Sequence, residues 1–151
     1  MIDQVDRKIL RGLQDDGRIS NQELAARCAL SPSACLERTR RLRDQGYIKG
    51  FTALLEPSLL GQSLTIFIEV LLERTDADGI RAFKEAIASQ PRIAECYMIA
   101  GAFDYLLKVR AADMDDYRRF LFEDLTRLPG VRENRSYIVV AEMKYTTQLS
   151  I

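Results

Sequence analysis

The chain has 151 residues, 47% of them hydrophobic, which is enough for a packed core in one domain or in two small ones. Lys plus Arg and Asp plus Glu number 22 each, so the net charge of zero does not by itself indicate a nucleic-acid partner. No apolar run is long enough to span a membrane and the N-terminus lacks a signal-peptide pattern, so we expect a cytoplasmic protein without a membrane partner.

The first predicted element is an amphipathic helix over residues 3–14. Asp3 is a suitable N-cap, and Gly17 follows the helix closely enough to mark its end. Four apolar residues recur at helical spacing and predict the face that packs inward: Val5, Ile9, Leu10 and Leu13.

Two further helix starts follow, eleven residues apart. Ser20 with Glu23 has the spacing of a capping box, and Ser31 is an N-cap followed by Pro32 at the first helical position. The intervening helix has room for about two turns, with an inner face of Leu24, Ala25 and Cys28, before a turn near Ala29-Leu30. The next helix is predicted from Pro32 to about Gln45, ending at Gly46. This spacing indicates a helix-turn-helix.

The last of these three helices has the composition of a DNA-reading helix. Cys35, Thr39 and Leu42 share the face that should pack inward. The remaining surface offers small residues for close approach to bases, a carboxylate that can accept from cytosine, and arginines for guanine or phosphate. The predicted DNA-binding residues are Arg18, Ser31, Ser33, Ala34, Glu37, Arg38, Arg40 and Arg41. The alternative is an ordinary three-helix bundle with a solvated charged face.

The distribution of charge supports DNA binding by this region. Residues 1–50 contain ten Lys or Arg against seven Asp or Glu, a net charge of +3, whereas residues 51–151 contain twelve against fifteen, a net charge of −3. A basic patch this small implies few phosphate contacts per subunit. We therefore expect binding to double-stranded DNA as a dimer or a larger assembly.

A boundary is predicted after the helix-turn-helix. Residues 48–55 resemble a strand, and turn-forming residues follow at 56–58 and 61–63. We therefore expect a DNA-binding domain at 1–50, a strand and linker at 51–64, and a second domain at 65–151.

The second domain alternates strands and helices. A strand at 65–73 has Ile66, Ile68, Val70 and Leu72 on one face and is followed by a helix at 76–90. Strands at 93–100 and 103–110 are separated by Gly101-Ala102 as in a hairpin, and Asp113 caps a helix that ends at Pro129-Gly130. A last strand covers Val131 to about Lys144. The order β-α-β-β-α-β is the ferredoxin-like arrangement, whose open sheet face, with Phe67 and Leu71, predicts dimerisation.

The whole chain closely resembles the Lrp/AsnC, or feast/famine, family of transcription regulators. The runs that carry the resemblance are 6–10, 13–21, 30–38, 101–108, 128–131 and 136–140. Two of them, Cys35-Leu36-Glu37-Arg38 and the Phe-Asp-Tyr-Leu-Leu-Lys run at 103–108, are more similar to the leucine-responsive branch than to the asparagine-responsive one.

The resemblance implies an α+β protein: a three-helix, winged-helix-like DNA-binding domain followed by an ACT-like regulatory domain that binds a free amino acid. Family members form homodimers that associate further, often into octamers, and their effector sites lie between dimers around the turn joining the second and third strands. The positions that match the family's effector site are Met98, Gly101, Ala102, Phe103, Asp104, Met114, Tyr137, Ile138 and Val139. Leucine is the leading effector by resemblance, followed by methionine, other branched-chain residues, alanine, lysine and arginine, and no other cofactor is expected.

Physical arguments support the turn at Gly101 to Asp104 as an effector site. Glycine permits close approach to a carboxylate, and exposed amides in a turn bind anions. Asp104 could accept from a ligand ammonium group, or it could instead bond to backbone, as Asp often does in turns.

These features predict a sequence-specific regulator that reads an imperfect palindrome, is associated with the nucleoid, and responds to an amino acid. An effector-independent architectural DNA-binding protein is one alternative, and a ferredoxin-like dimeric enzyme is another. With no histidine, no phosphate-binding glycine loop and no partnered Ser or Cys nucleophile, an enzyme is disfavoured. The three cysteines, Cys28, Cys35 and Cys96, lack Cys-x-x-Cys spacing and are expected to be buried, with neither a disulfide framework nor a zinc site.

Overall fold

The computed structural model describes residues 2–151, which form two compact units. The first unit runs to Leu54 and also includes Lys144–Ile151, whereas Leu55–Met143 form the second. The boundary falls within the predicted linker, but the C-terminal segment lies with the first unit and not, as predicted, with the second. The reason is a set of hydrogen bonds to the first helix, including Leu149 N to Gln14 Oε1 at 2.6 Å.

The first unit contains the three predicted helices: α1 (Gln4–Asp15), α2 (Asn21–Arg27) and α3 (Pro32–Asp44). Asp3, Ser20 and Ser31 cap them as expected, each accepting from a backbone amide three residues on. The fully or nearly fully buried apolar residues of this unit are Ile9, Leu24, Ala25, Cys28, Cys35 and Leu42. Val5, Leu10 and Leu13 are partly buried and pack against this cluster, and Thr39 is partly buried, so the predicted inner faces of these helices are confirmed.

The predicted strand at 48–55 was wrong. Residues 48–56 have no regular secondary structure, and the side chains of Phe51 and Leu54 are exposed. Within the described residues, no strand pairs with this segment. An alternating apolar pattern alone does not distinguish a strand from an extended connection, because a strand also needs a hydrogen-bonded neighbour.

The second unit has the predicted β-α-β-β-α-β order. After a single 3-10 turn at Ser58–Leu60, its elements are β1 (Leu64–Leu72), α4 (Ala77–Ala88), β2 (Ile93–Met98), β3 (Tyr105–Ala111), α5 (Met114–Arg119) and β4 (Val131–Ile138). The four strands form one antiparallel sheet in the order β2-β3-β1-β4. This is the ferredoxin-like arrangement.

One face of the sheet carries the core. Ile66, Ile68 and Val70 are fully buried and belong to one cluster with Phe83 of α4 and Phe120, which follows α5. Phe67, on the opposite face of β1, is only partly buried. Helices therefore cover one face and leave the other open, as predicted from the β-α-β-β-α-β order.

Several element ends differ from prediction. β4 ends at Ile138 and not near Lys144, because its antiparallel partner β1 begins at Leu64: Ile138 pairs with Ile66, and Val139 N then bonds to Thr65 O at 2.9 Å. The predicted two-residue hairpin turn at Gly101-Ala102 is instead a six-residue loop at 99–104, because β2 ends at Met98 and β3 begins at Tyr105. The helix after Asp113 is regular only to Arg119 and continues as a π turn and a 3-10 turn. In the described chain, no helix is both long and apolar enough to cross a membrane.

Candidate DNA interface and effector site

A tight turn joins α2 to α3. Ala29 adopts a left-handed conformation, with φ of 55°, and Leu30 N bonds back to Ala25 O at 2.9 Å. Alanine is uncommon in this conformation, which glycine usually occupies. The turn directs the chain from α2 into the Ser31 cap and so fixes where α3 begins.

Only part of the predicted capping box at α2 is present. Ser20 Oγ accepts from Glu23 N at 3.1 Å, but the Glu23 carboxylate bonds to Arg27 at 2.7 Å and does not return to the cap. The complete capping box lies at α1, where Asp3 and Asp6 each accept from the other's backbone amide. Sequence reasoning identified Asp3 as a cap but missed the role of Asp6.

The outer surface of α3 has the predicted residues. Cys35 and Leu42 are buried, and Thr39 Oγ1 bonds to the Cys35 carbonyl at 2.8 Å. Ala34 and Arg38 are partly buried, whereas Ser31, Ser33, Glu37, Arg40 and Arg41 are exposed. A shallow depression of about 240 Å³ is lined by Ala34, Glu37, Arg38 and Arg41. Arg18 is exposed before α2, with its amide bonded to Asp16 at 2.8 Å.

Two arginines of α3 bond to carboxylates of the first turn of α1. Arg38 Nη1 lies 2.8 Å from Asp6 Oδ1 and 2.7 Å from Asp3 Oδ2. Arg41 Nη2 lies 2.9 Å from both oxygens of Asp6. Asp6 is 1% exposed, so its charge is stabilised by these guanidinium groups and not by water. The sequence contains a signal for this contact. Asp6 lies three residues before Ile9 and so shares the inward face of α1, where a buried carboxylate needs a charged partner.

These contacts favour the charged forms of Asp3 and Arg38. The Asp6 amide and the Arg38 guanidinium hold the pKa of Asp3 below its usual value. Hydrogen bonds to Asp3 and then to Asp6 raise the pKa of Arg38 above its already high value. Asp3 and Arg38 therefore remain charged at neutral pH.

In the regulatory unit, Asp104 lies at the end of the loop between β2 and β3. Its Oδ2 accepts from Leu72 N at 2.8 Å, while its backbone N donates to Val70 O at 3.0 Å and its carbonyl accepts from Ile99 N at 2.8 Å. The carboxylate thus bonds to the backbone of the neighbouring strand β1. Of the two uses considered from the sequence, the structure contains this backbone bond.

The predicted effector residues fall into two groups at opposite ends of the sheet. Met98 pairs with Tyr105, which pairs with Val70, so the loop containing Gly101, Ala102, Phe103 and Asp104 lies at the Val70 end of β1. Tyr137 and Ile138 pair with Phe67 and Ile66, and Val139 bonds to Thr65.

Met114 belongs with the second group. It follows β3, which ends at Ala111 opposite Leu64. Val70 and Ile66 are four residues apart on one strand, which corresponds to roughly 13 Å. One chain therefore does not bring the two groups together, and several of their side chains face solvent: Met98 is 62% exposed, Met114 52%, Tyr137 49% and Ile138 43%.

The cysteines have no partners for redox or metal chemistry in the part of the chain that the structure describes. Cys28 and Cys35 are buried and Cys96 is partly buried, and none forms a disulfide. Burial raises the pKa of the Cys28 and Cys96 thiols, which keeps them protonated. No group of His, Cys, Asp or Glu in residues 2–151 has the arrangement of a metal site.

Comparisons with known proteins match both units. A model for winged helix-turn-helix DNA-binding domains matches residues 2–49, and a model for the Lrp/AsnC ligand binding domain matches residues 65–149. The leucine-responsive regulatory protein of Escherichia coli strain K12 is 50% identical over 150 residues, which cover 99% of this chain and 92% of that protein.

Solved structures agree. A transcriptional regulator of Neisseria meningitidis in complex with L-Met has a TM-score of 0.93 and 37% identity, and an AsnC family transcriptional regulator of Agrobacterium tumefaciens has a TM-score of 0.93 and 30% identity. Each match covers 99% of this chain and 97% of the other. The chain belongs to the Lrp/AsnC family: it is a transcription regulator and not an enzyme, with a helix-turn-helix domain that binds DNA and a regulatory domain that binds an amino acid.

Proposed function

We propose that this regulator senses leucine or a similar aliphatic amino acid through a site shared by two copies of the chain. The observation that carries the proposal is the separation of the predicted effector residues at two ends of one sheet. A site that uses both groups needs the loop at 99–104 from one copy and Met114 with Tyr137, Ile138 and Val139 from another. The relatives support the ligand class, since one is named leucine-responsive and another was solved with L-Met.

The predicted effector residues offer polar atoms for the ammonium and carboxylate groups of an amino acid and apolar surface for its side chain. Asp104 Oδ2 is used by Leu72, and a ligand ammonium group could bond to its other carboxylate oxygen. Gly101 and Ala102 are exposed, so their backbone amides are available to a ligand carboxylate. Met98 and Met114 provide flexible apolar surface that can adapt to an aliphatic side chain.

The proposed DNA-bound form is a homodimer that assembles further, with an octamer as the expected ring. Two helix-turn-helix units related by a twofold axis would read the half-sites of an imperfect palindrome, and a larger assembly could bend DNA across several sites. The charge of +3 on residues 1–50 supports multivalent binding, because one unit makes few phosphate contacts. The protein would act in the cytoplasm, associated with the nucleoid, with no cofactor other than the effector.

A thermal-shift panel of the twenty amino acids, followed by sedimentation with each stabilising ligand, tests the effector. Leucine or a few aliphatic residues should raise the melting temperature, because a ligand that binds only the folded state stabilises it. A flat panel together with intact specific DNA binding would instead favour the architectural alternative.

Mixing two inactive variants tests whether the site is shared. Asp104→Asn weakens the loop group and Ile138→Glu weakens the opposite group, so each variant alone should bind the effector at least tenfold more weakly than the parent. In a randomly mixed assembly about a quarter of shared sites regain both intact halves, so calorimetry should detect partial recovery of binding. A site contained within one chain predicts no recovery on mixing.

A further inference from the structure

The pairing of Arg38 and Arg41 with α1 changes the charge that the recognition helix presents. Asp3 and Asp6 together carry two negative charges against the two arginines, so this cluster is electrically neutral as a group. Within the described residues, Arg40 and Arg43 have no such carboxylate partner. The arginine count of α3 therefore overstates the positive charge available for phosphate contacts.

The same pairing fixes where the two guanidinium groups lie. Asp6 is buried and uses both oxygens, so moving either arginine away would leave a buried charge partly unpaired. Arg38 and Arg41 are held in the depression that they form with Ala34 and Glu37. These are residues of the surface predicted to meet base edges, so Asp6 contacts that surface through Arg38 and Arg41.

We propose that Asp6 is a positioning residue for sequence discrimination: it holds Arg38 and Arg41 beside Ala34 and Glu37 and limits their use as general phosphate contacts. This inference rests on the proposed recognition-helix surface. Asp6 thereby lowers affinity for arbitrary DNA and keeps the arginines in one geometry for bases. Asp3, which touches only Arg38 of the pair, has a smaller part in the same role.

Asp6→Asn tests the role, because it removes the charge while keeping the size of the side chain. The full-length variant is titrated against a random-sequence duplex, and against the tightest duplex selected from a random library, at several salt concentrations. Each arginine released to a phosphate should steepen the slope of log K against log salt by about 0.9. For Asp6→Asn we expect the slope of log K against log salt on random DNA to be steeper than that of the parent by about one to two. We expect the ratio of its affinity for the selected duplex to its affinity for random DNA to be at least tenfold lower than the parental ratio.

Two variants control this result. The double variant Asp6→Asn with Arg41→Gln should recover part of the original slope, because one released cation is gone. Asp3→Asn should give a smaller change of the same sign, and it provides the test if Asp6→Asn does not fold. A merely structural role for Asp6 would lower the melting temperature and leave both the slope and the affinity ratio of the folded protein unchanged.

The outcomes separate this inference from the recognition-helix assignment. If Arg38→Gln and Arg41→Gln weaken binding to the selected duplex but folded Asp6→Asn has the parental slope and ratio, the positioning role is overturned and the assignment stands. If neither arginine variant changes DNA binding, the assignment fails, and the positioning role fails with it.

Discussion

At the scale of single residues, the Asp104 carboxylate has one contact with the backbone of β1 and one proposed contact with the effector. β3 pairs with β1 only as far as Tyr105 and Val70, and beyond that point the Asp104 side chain accepts from Leu72 N. Its role in holding the loop is therefore visible in the structure, whereas its contact with an effector is a proposal. An asparagine at this position would keep an acceptor for Leu72 and remove the negative charge.

Asp104→Asn and Asp104→Ala should therefore differ. We expect Asp104→Asn to fold with a stability within about 1 kcal/mol of the parent and to bind the effector at least tenfold more weakly, since hydrogen bonds to charged groups contribute about 1.5–3 kcal/mol. Asp104→Ala should also destabilise the unit by about 1–3 kcal/mol, because the Leu72 amide loses its partner. Urea unfolding and calorimetry measure both effects. If Asp104→Asn bound the effector as tightly as the parent, the Asp104 carboxylate would have a structural role alone.

At the scale of elements, helix starts were the most predictable features. Asp3, Ser20, Ser31, Asp76 and Asp113 all cap helices, since the cap depends on a local side chain and amide. Ends of strands were less predictable, because β4 stops opposite the start of its antiparallel neighbour β1, and that is a property of pairing. The same reason explains the wrong strand at 48–55, where the apolar pattern was present without a partner.

The partly formed capping box of α2 gives a local prediction. Ser20→Ala should lower the free energy of unfolding by about 1 kcal/mol, because the cap bond to Glu23 N is lost. Glu23→Ala should cost less than about 0.5 kcal/mol, since the Glu23 carboxylate forms only an exposed pair with Arg27. Denaturant unfolding of both variants measures the two changes in the free energy of unfolding. A cost for Glu23→Ala equal to that of Ser20→Ala would show that Glu23 also caps the helix and completes the box.

At the scale of the whole molecule, the fold class and the order of elements followed from periodicity and caps, but the arrangement of the site did not. Asp104 and Tyr137 are both recognisable from family motifs, yet only the strand register shows that they lie at opposite ends of the sheet. The pairing of Asp6 with Arg38 and Arg41 is likewise a tertiary contact between residues more than thirty positions apart. Sequence patterns report local periodicity and do not report such contacts.

The open sheet face makes a prediction about assembly. Phe67 lies on this face between Lys108 and Tyr137 of the flanking strands and outside the buried core cluster. Phe67→Glu should therefore leave the fold intact and weaken self-association by about 2 kcal/mol or more, because an interface aromatic is replaced by a charge. Sedimentation velocity over a dilution series measures this. Lys84→Glu on α4, an exposed charge change, is the control, and equal assembly of both variants would place the dimer interface elsewhere.

The division of the predicted effector residues between two ends of the sheet has a consequence for how the regulator responds in a cell. If each complete site requires two chains, the apparent affinity for the amino acid depends on how much regulator is present, because ligand binding and association are linked equilibria. Scarce protein would need more amino acid to respond than abundant protein. The abundance of the regulator would then set the nutrient level at which its genes switch, without any change in its sequence.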